Sequence, residues 1–218
     1  MQTAWLQRAN HPHCLLFFSG WGMDPEPFRF LPARSCDVLL VHDYRHLQLP
    51  ELEPLAAYRQ VHLAAWSMGV WVAAHLLADR AGSFASRTAL AGTLSPIDAG
   101  RGLPPEAYAT MVDSFGPEVL DTFYANMFDD PAQHSRFLAS RPRRAMAALR
   151  EEMAAFRAAV LAAPPVRDIY TKKIVTSRDR IFTGRNQLRA WGRDTATVHA
   201  WPHFPFHLFA DWRDLLAA

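Results

Sequence analysis

The pentad Ala65-Trp66-Ser67-Met68-Gly69 sets a serine between small residues placed two positions to either side. A serine in a tight turn from a strand into a helix is held in a strained conformation, its hydroxyl clear of the sheet and a helix N-terminus behind it. That arrangement suits attack by a serine oxygen, with backbone N–H groups meeting the negative charge that develops. The same serine would also suit a simple helix cap, so the pentad alone leaves both uses open. A serine nucleophile needs a base, and the base needs an acid to orient it. Asp179, after Ser177-Arg178, and His203, inside Pro202-His203-Phe204-Pro205-Phe206-His207, follow Ser67 in that order. Asp98 is an alternative acid and His207 an alternative base, whereas Asp194 precedes a strand-like run and so faces the wrong edge. Pro205 suits the first turn of a closing helix, which would draw His207 into that helix and leave His203 in the loop. His203 is therefore favoured.

Ser19-Gly20-Trp21-Gly22 forms a second turn, where glycine lets backbone amides approach a substrate. The backbone N–H groups of Trp21 and Met68 are the candidate oxyanion donors. An ordinary turn with Trp21 packed into the core is the plainer use of the same residues. His11/His13 and His42/His46 have spacings that could hold a metal, but no cysteine or carboxylate set completes a site, and no metal is expected.

These residues need elements to position them. Apolar runs at residues 14–18, 38–41, 61–65 and 88–91 are short and do not alternate strictly, as expected of parallel strands buried on both faces. Residues 4–7, 172–176 and 195–201 add three further strand candidates. Residues 68–79 are apolar nearly all round and predict a buried helix. Strand-then-helix repetition gives an α/β class with a mostly parallel sheet flanked by helices. Ser67, Asp179 and His203 then fall in loops after strands, on the edge where open α/β sheets build their sites. Strand-like runs vanish at about 96–164, and helix formers fill 105–129 and 131–161. The expectation is one domain, 1–218, carrying a helical lid insertion. Its first half is acidic; its second carries Arg136, Arg141, Arg143, Arg144, Arg150 and Arg157 against Glu151 and Glu152. Attraction between the two halves and the docking of a partner account for this split equally well.

Composition narrows the classes. The 218 residues are 50% hydrophobic and 20% charged, which fits a folded globular chain rather than a disordered one. A net charge of +2 gives no ground for nucleic-acid binding. No apolar run in the first 60 residues is long enough to span a bilayer and no secretory pattern is visible, so a cytoplasmic location is expected. Cys14 and Cys36 lie in apolar runs and read as buried reduced thiols.

Together, Phe17-Phe18-Ser19-Gly20-Trp21-Gly22-Met23, Val41-His42-Asp43-Tyr44-Arg45, the stretch from Ala65 to Ala73, Asp179-Arg180-Ile181-Phe182 and His203-Phe204-Pro205-Phe206 resemble the BioG type of pimeloyl-[acyl-carrier protein] methyl ester esterase. The resemblance runs nearly end to end. The related BioH type has a similar Gly-Trp-Gly turn and His-x-Pro-Phe segment, which supports His203 over His207. Ser19 and Ala65 depart from that type, which has His and Gly there, and suit the BioG type. The resemblance implies an α/β-hydrolase fold and a serine esterase. It would cleave the methyl ester of pimeloyl-acyl carrier protein to free the distal carboxylate for biotin synthesis. It implies Ser67 as nucleophile, His203 as base, Asp179 as acid, no metal or organic cofactor, and an acidic carrier protein as partner of a chain expected to be monomeric. The six lid arginines are then candidates for carrier or substrate contacts. A broader serine esterase or thioesterase on small acyl substrates, and a non-catalytic binding module on the same scaffold, are the rivals.

Overall fold

The computed structural model describes residues 1–49 and 51–218. Seven strands form one sheet: β1 (Gln2–Gln7), β2 (His13–Phe18), β3 (Asp37–His42), β4 (Gln60–Trp66), β5 (Ser86–Leu90), β6 (Lys172–Thr176) and β7 (Thr197–His199). Their spatial order is β1-β3-β2-β4-β5-β6-β7, and every pairing is parallel except that of β1 with β3. From β2 the chain steps outward to β3, then returns to the other side of β2 as β4. The loops after β2 and β4 therefore open side by side where the strand order reverses, the usual crevice for a ligand.

The apolar runs explain the middle of the sheet. All six residues of β3 are buried, as are five of six in β2, because helices cover both faces. One face packs on α1 (Met68–Leu77), whose Val70, Trp71, Val72 and Ala73 are fully or almost fully buried. The other face carries an aromatic cluster of Phe17, Phe28, Trp66, Phe204, Phe206 and Trp212, with ring centroids about 5–6 Å apart.

Between β5 and β6 run α2 (Pro105–Asp113), α3 (Pro117–Asn126), α4 (Pro131–Ala139) and α5 (Met146–Ala162). The expected helical stretches are broken at Ser114-Phe115-Gly116 and at residues 140–145, each break holding or preceding a proline that cannot continue a helix. Tyr108, Leu149, Met153 and Phe156 join the α1 side of the core. Tyr124, Met127 and Phe137 join the other. Two short helices complete the chain, α6 (Gly184–Trp191) and α7 (Trp212–Ala217).

Three local expectations change. The helix from residue 68 ends at Leu77, after which Ala78–Ser83 tightens into a 3-10 turn. The last strand keeps only three residues; beyond it the Arg178 N–H still donates to the Trp201 carbonyl at 3.1 Å. Pro205 leads into a 3-10 turn, Phe206–Leu208, rather than the closing helix, so His207 lies in that turn. The closing helix starts later because Asp211 and Asp214 form a capping box there. Cys14 and Cys36 are free and buried, and burial pushes their thiols up to about 12 and about 11.

Candidate active site

Ser67 sits between the last residue of β4 and the first of α1, with φ 58° and ψ −127°. A left-handed φ in a non-glycine residue costs roughly 1–3 kcal/mol and persists only where neighbours enforce it. Here they do. The Ser67 N–H donates to the Leu90 carbonyl at 2.9 Å, and the Ser67 carbonyl accepts from the Val70 N–H at 3.1 Å. A Cβ on Gly69 would lie 2.4 Å from the Ser19 carbonyl oxygen, and one on Gly92 would lie 2.3 Å from that of Ser67. Small residues are required because three backbone segments converge. Gly69→Ala, normally favourable in a helix, is therefore expected to destabilise the fold by about 2 kcal/mol or more. Urea unfolding measures this; unchanged stability would show that the backbones do not approach so closely.

The His203 ring is fully buried, with Nε2 3.0 Å from Ser67 Oγ and Nδ1 2.7 Å from Asp179 Oδ2. Its loop is pinned from beneath: Phe204 and Phe206 are fully buried, and the Trp66 indole N–H donates to the His203 carbonyl at 2.7 Å. Burying each phenyl ring is worth roughly 1.5–3 kcal/mol, which orders the segment that carries the imidazole. Phe182 stacks on that ring at 6.1 Å and 9°.

Asp179 follows β6 and is supplied with donors on both oxygens. Oδ1 accepts from the Ile181 and Phe182 N–H groups at 2.7 and 2.8 Å. Oδ2 accepts from Thr176 Oγ1 at 3.0 Å and Gln187 Nε2 at 3.1 Å, besides His203. An ionised carboxylate only accepts, so Nδ1 of His203 carries a proton and neutral Nε2 faces the serine as acceptor. Thr176 and Gln187 escaped the sequence reading. The one available signal was a glutamine on the buried face of a short polar helix.

The alternatives lie elsewhere. Asp98 turns its own loop, accepting from the Gly100 and Arg101 N–H groups at 2.8 Å. His207 stacks on Phe30 at 4.4 Å. Trp21 is buried, its indole N–H donating to the Leu149 carbonyl at 3.0 Å, and it lines a pocket with Met68 and Ser67. That pocket, about 450 Å³, is lined by Leu103 and Met111 near or on α2, and by Val119 and Phe123 on α3. Glu118, Asn126 and Arg180 are polar members of its lining. Among the described residues, no three His, Cys, Asp or Glu side chains group to hold a metal.

The arginine series does not form one surface. Arg144 must be removed from the docking candidates: its side chain is 8% exposed and is paired with buried Glu152 and, at 3.0 Å, with Asp43. Arg150 donates to the Phe115 carbonyl, and Arg157 is half-buried. Arg136, Arg141, Arg143 and Arg150 are exposed, with Arg143 paired to Glu26 at 3.3 Å.

The family profile described as "Pimeloyl-ACP methyl esterase BioG" matches residues 1–215. The chain belongs to the BioG family. The crystal structure of BioG from Haemophilus influenzae superposes with a TM-score of 0.87 at 30% identity, covering 99% of each chain. An uncharacterized protein of H. influenzae is 31% identical over 93% of this chain and 94% of its own. A malonyl-[acyl-carrier protein] O-methyltransferase of Bacteroides fragilis is 34% identical over 81% of this chain; the match spans only 36% of that longer protein. An Exiguobacterium antarcticum esterase, at 11% identity and a TM-score of 0.69, shares the fold. This BioG chain thus has the α/β-hydrolase fold and is a carboxylic ester hydrolase.

Proposed function

We propose that the chain hydrolyses the methyl ester of pimeloyl-acyl carrier protein, releasing methanol and the carrier-bound free acid for biotin synthesis. The observation that carries this is the hydrogen-bonded series Ser67–His203–Asp179, whose serine lines a mostly apolar pocket, in a chain of this family. Ser67 Oγ attacks the ester carbonyl as His203 Nε2 takes its proton, and Asp179 steadies the imidazolium. The backbone amides of Trp21 and Met68 meet the oxyanion. His203 then gives the proton to the departing methoxide, and methanol leaves. Water, activated by the same imidazole, attacks the acyl-serine; Ser67 recovers its proton and the product leaves as a carboxylate.

The helices at about 96–164 act as a lid, and the acyl chain lies among Leu103, Met111, Val119 and Phe123. The Bacteroides relative supports a carrier-bound methyl ester as substrate. A protein whose name records methylation of a carrier-bound diacid contains a stretch like this chain, whose reaction would remove such a methyl group.

The acidic carrier docks on Arg136, Arg141 and Arg143, and Arg150 and Arg157 are secondary candidates. Exposed charge contacts act mainly on encounter and are screened by salt. The expected result is a several-fold higher kcat/KM for the carrier-linked ester than for a free pimeloyl methyl ester, narrowing as salt rises from about 0.05 to 0.5 M. Arg141→Glu/Arg143→Glu should erase that preference without slowing a small ester. Equal, salt-independent rates on both substrates would instead support a broader esterase on small acyl substrates.

A further inference from the structure

Glu152, on α5, is a fully buried carboxylate for which the reaction above has no use. Burial pushes its pKa up; the Arg144 guanidinium and two backbone N–H groups pull the other way. A buried ion pair is seldom a net source of stability compared with apolar side chains of similar volume. What distinguishes Glu152 is where its oxygens point. Oε2 accepts from the Gly22 N–H at 3.1 Å, and Oε1 accepts from the Tyr44 N–H at 2.7 Å.

Gly22 directly follows Trp21, whose amide is the proposed oxyanion donor. Its φ of 75° belongs to a turn that a side chain would strain, and a Cβ there would lie 3.4 Å from Leu149 Cδ2. The Trp21 indole is tied to the Leu149 carbonyl on the same helix as Glu152. From the other side, the Tyr44 hydroxyl donates to the Ser19 carbonyl at 2.7 Å. Besides the Ser19 N–H bond to the Val41 carbonyl at 3.1 Å, residues 19–22 are thus held at three points. Glu152 and its helix provide two, and the third is a tyrosine whose backbone Glu152 also holds.

We propose that Glu152 is a positioning residue for ester hydrolysis: through Gly22 and Tyr44 it fixes the turn that presents the Trp21 amide to the oxyanion. The inference rests on the serine mechanism given above. An oxyanion donor works only within about 0.5 Å of its productive place, and misplacement by about 1 Å costs about 100-fold. In Glu152→Gln one acceptor oxygen becomes an NH2 donor, so one of the two tethers is lost.

The test uses p-nitrophenyl butyrate and the full chain. For Glu152→Gln, kcat is expected to fall about ten- to hundred-fold with KM within about twofold, and fluorophosphonate labelling of Ser67 to slow in step. Arg144→Met/Glu152→Leu replaces the ion pair by apolar groups and leaves the Gly22 and Tyr44 N–H groups without their acceptor; it should fold with a lowered Tm and lose at least as much kcat. Phe156→Leu loosens the same helix against Trp71 without touching the turn, and should keep kcat. Wild-type kcat in either folded Glu152 variant overturns the proposal. So does an equal loss in Phe156→Leu, or failure of both Glu152 variants to fold, since each would make the pair a folding element only. Ser67→Ala, run alongside, separates the two readings. Activity surviving there removes the serine mechanism itself, whereas an inactive Ser67→Ala beside an unimpaired Glu152→Gln removes only this inference.

Discussion

Replacing Ser67 with alanine is expected to lower methyl-ester hydrolysis on the order of 10⁵–10⁶-fold while the protein stays folded. The substitution removes one oxygen and leaves the elbow backbone in place. Alanine tolerates the required φ about as well as serine does, and the chain already holds Ala91 at φ 49°. The loss is one buried hydrogen bond to His203, so the stability change should stay within about 1–2 kcal/mol. Rate and stability thereby separate. Initial rates on the methyl ester, set beside the thermal midpoint and far-ultraviolet dichroism, measure both. A folded Ser67→Ala protein retaining more than about 1% of activity would rule the serine out as nucleophile, because only about 10³–10⁴-fold acceleration over water survives loss of a triad member elsewhere.

Asp179→Asn is expected to cost about 10⁴-fold in kcat. Its surroundings dictate how. Two backbone N–H groups point at Oδ1, so the asparagine keeps its carbonyl oxygen there and turns its NH2 toward His203. Nδ1 of His203 must then accept, which moves the ring proton to Nε2, and Nε2 can no longer take a proton from Ser67. The same NH2 also meets the Thr176 hydroxyl and the Gln187 amide, both arranged to donate to Oδ2. Some loss of stability accompanies the loss of rate. Exposed Asp194, placed between α6 and β7, is the comparison, and its change to asparagine should leave kcat within about twofold. A small effect at Asp179 together with a large one at Asp98 would transfer the acid to the other candidate.

Much of this was legible along the chain because the relevant rules are local. A strand buried on both faces reads as a short apolar run, so β2 to β5 were recognisable within two residues at each end. The elbow was recognisable because the turn demands small residues at fixed offsets, and Ala65 and Gly69 meet that demand. The order Ser67, Asp179, His203 placed all three after strands. Boundaries decided by capping were less accessible: the closing helix waits for Asp211, so His207 belongs to a turn rather than that helix.

The arginine run shows where local reading stops. Six arginines in sequence looked alike, yet Arg144 is enclosed with Glu152 and Asp43 while Arg141 and Arg143 face solvent. Charge is a property of the residue, but whether that charge is spent inside or offered outside depends on which segments pack over it. The residues alone pointed to most element types, to the elbow and to Ser67, Asp179 and His203 as the candidate reactive side chains, since these follow from spacing and chain order. Only the tertiary structure decided the donors that hold Asp179, the helix that closes over the Gly-Trp-Gly turn, and the fate of each arginine. Those contacts join segments as far as 130 positions apart, and no periodicity along the chain encodes which distant partner a side chain will meet.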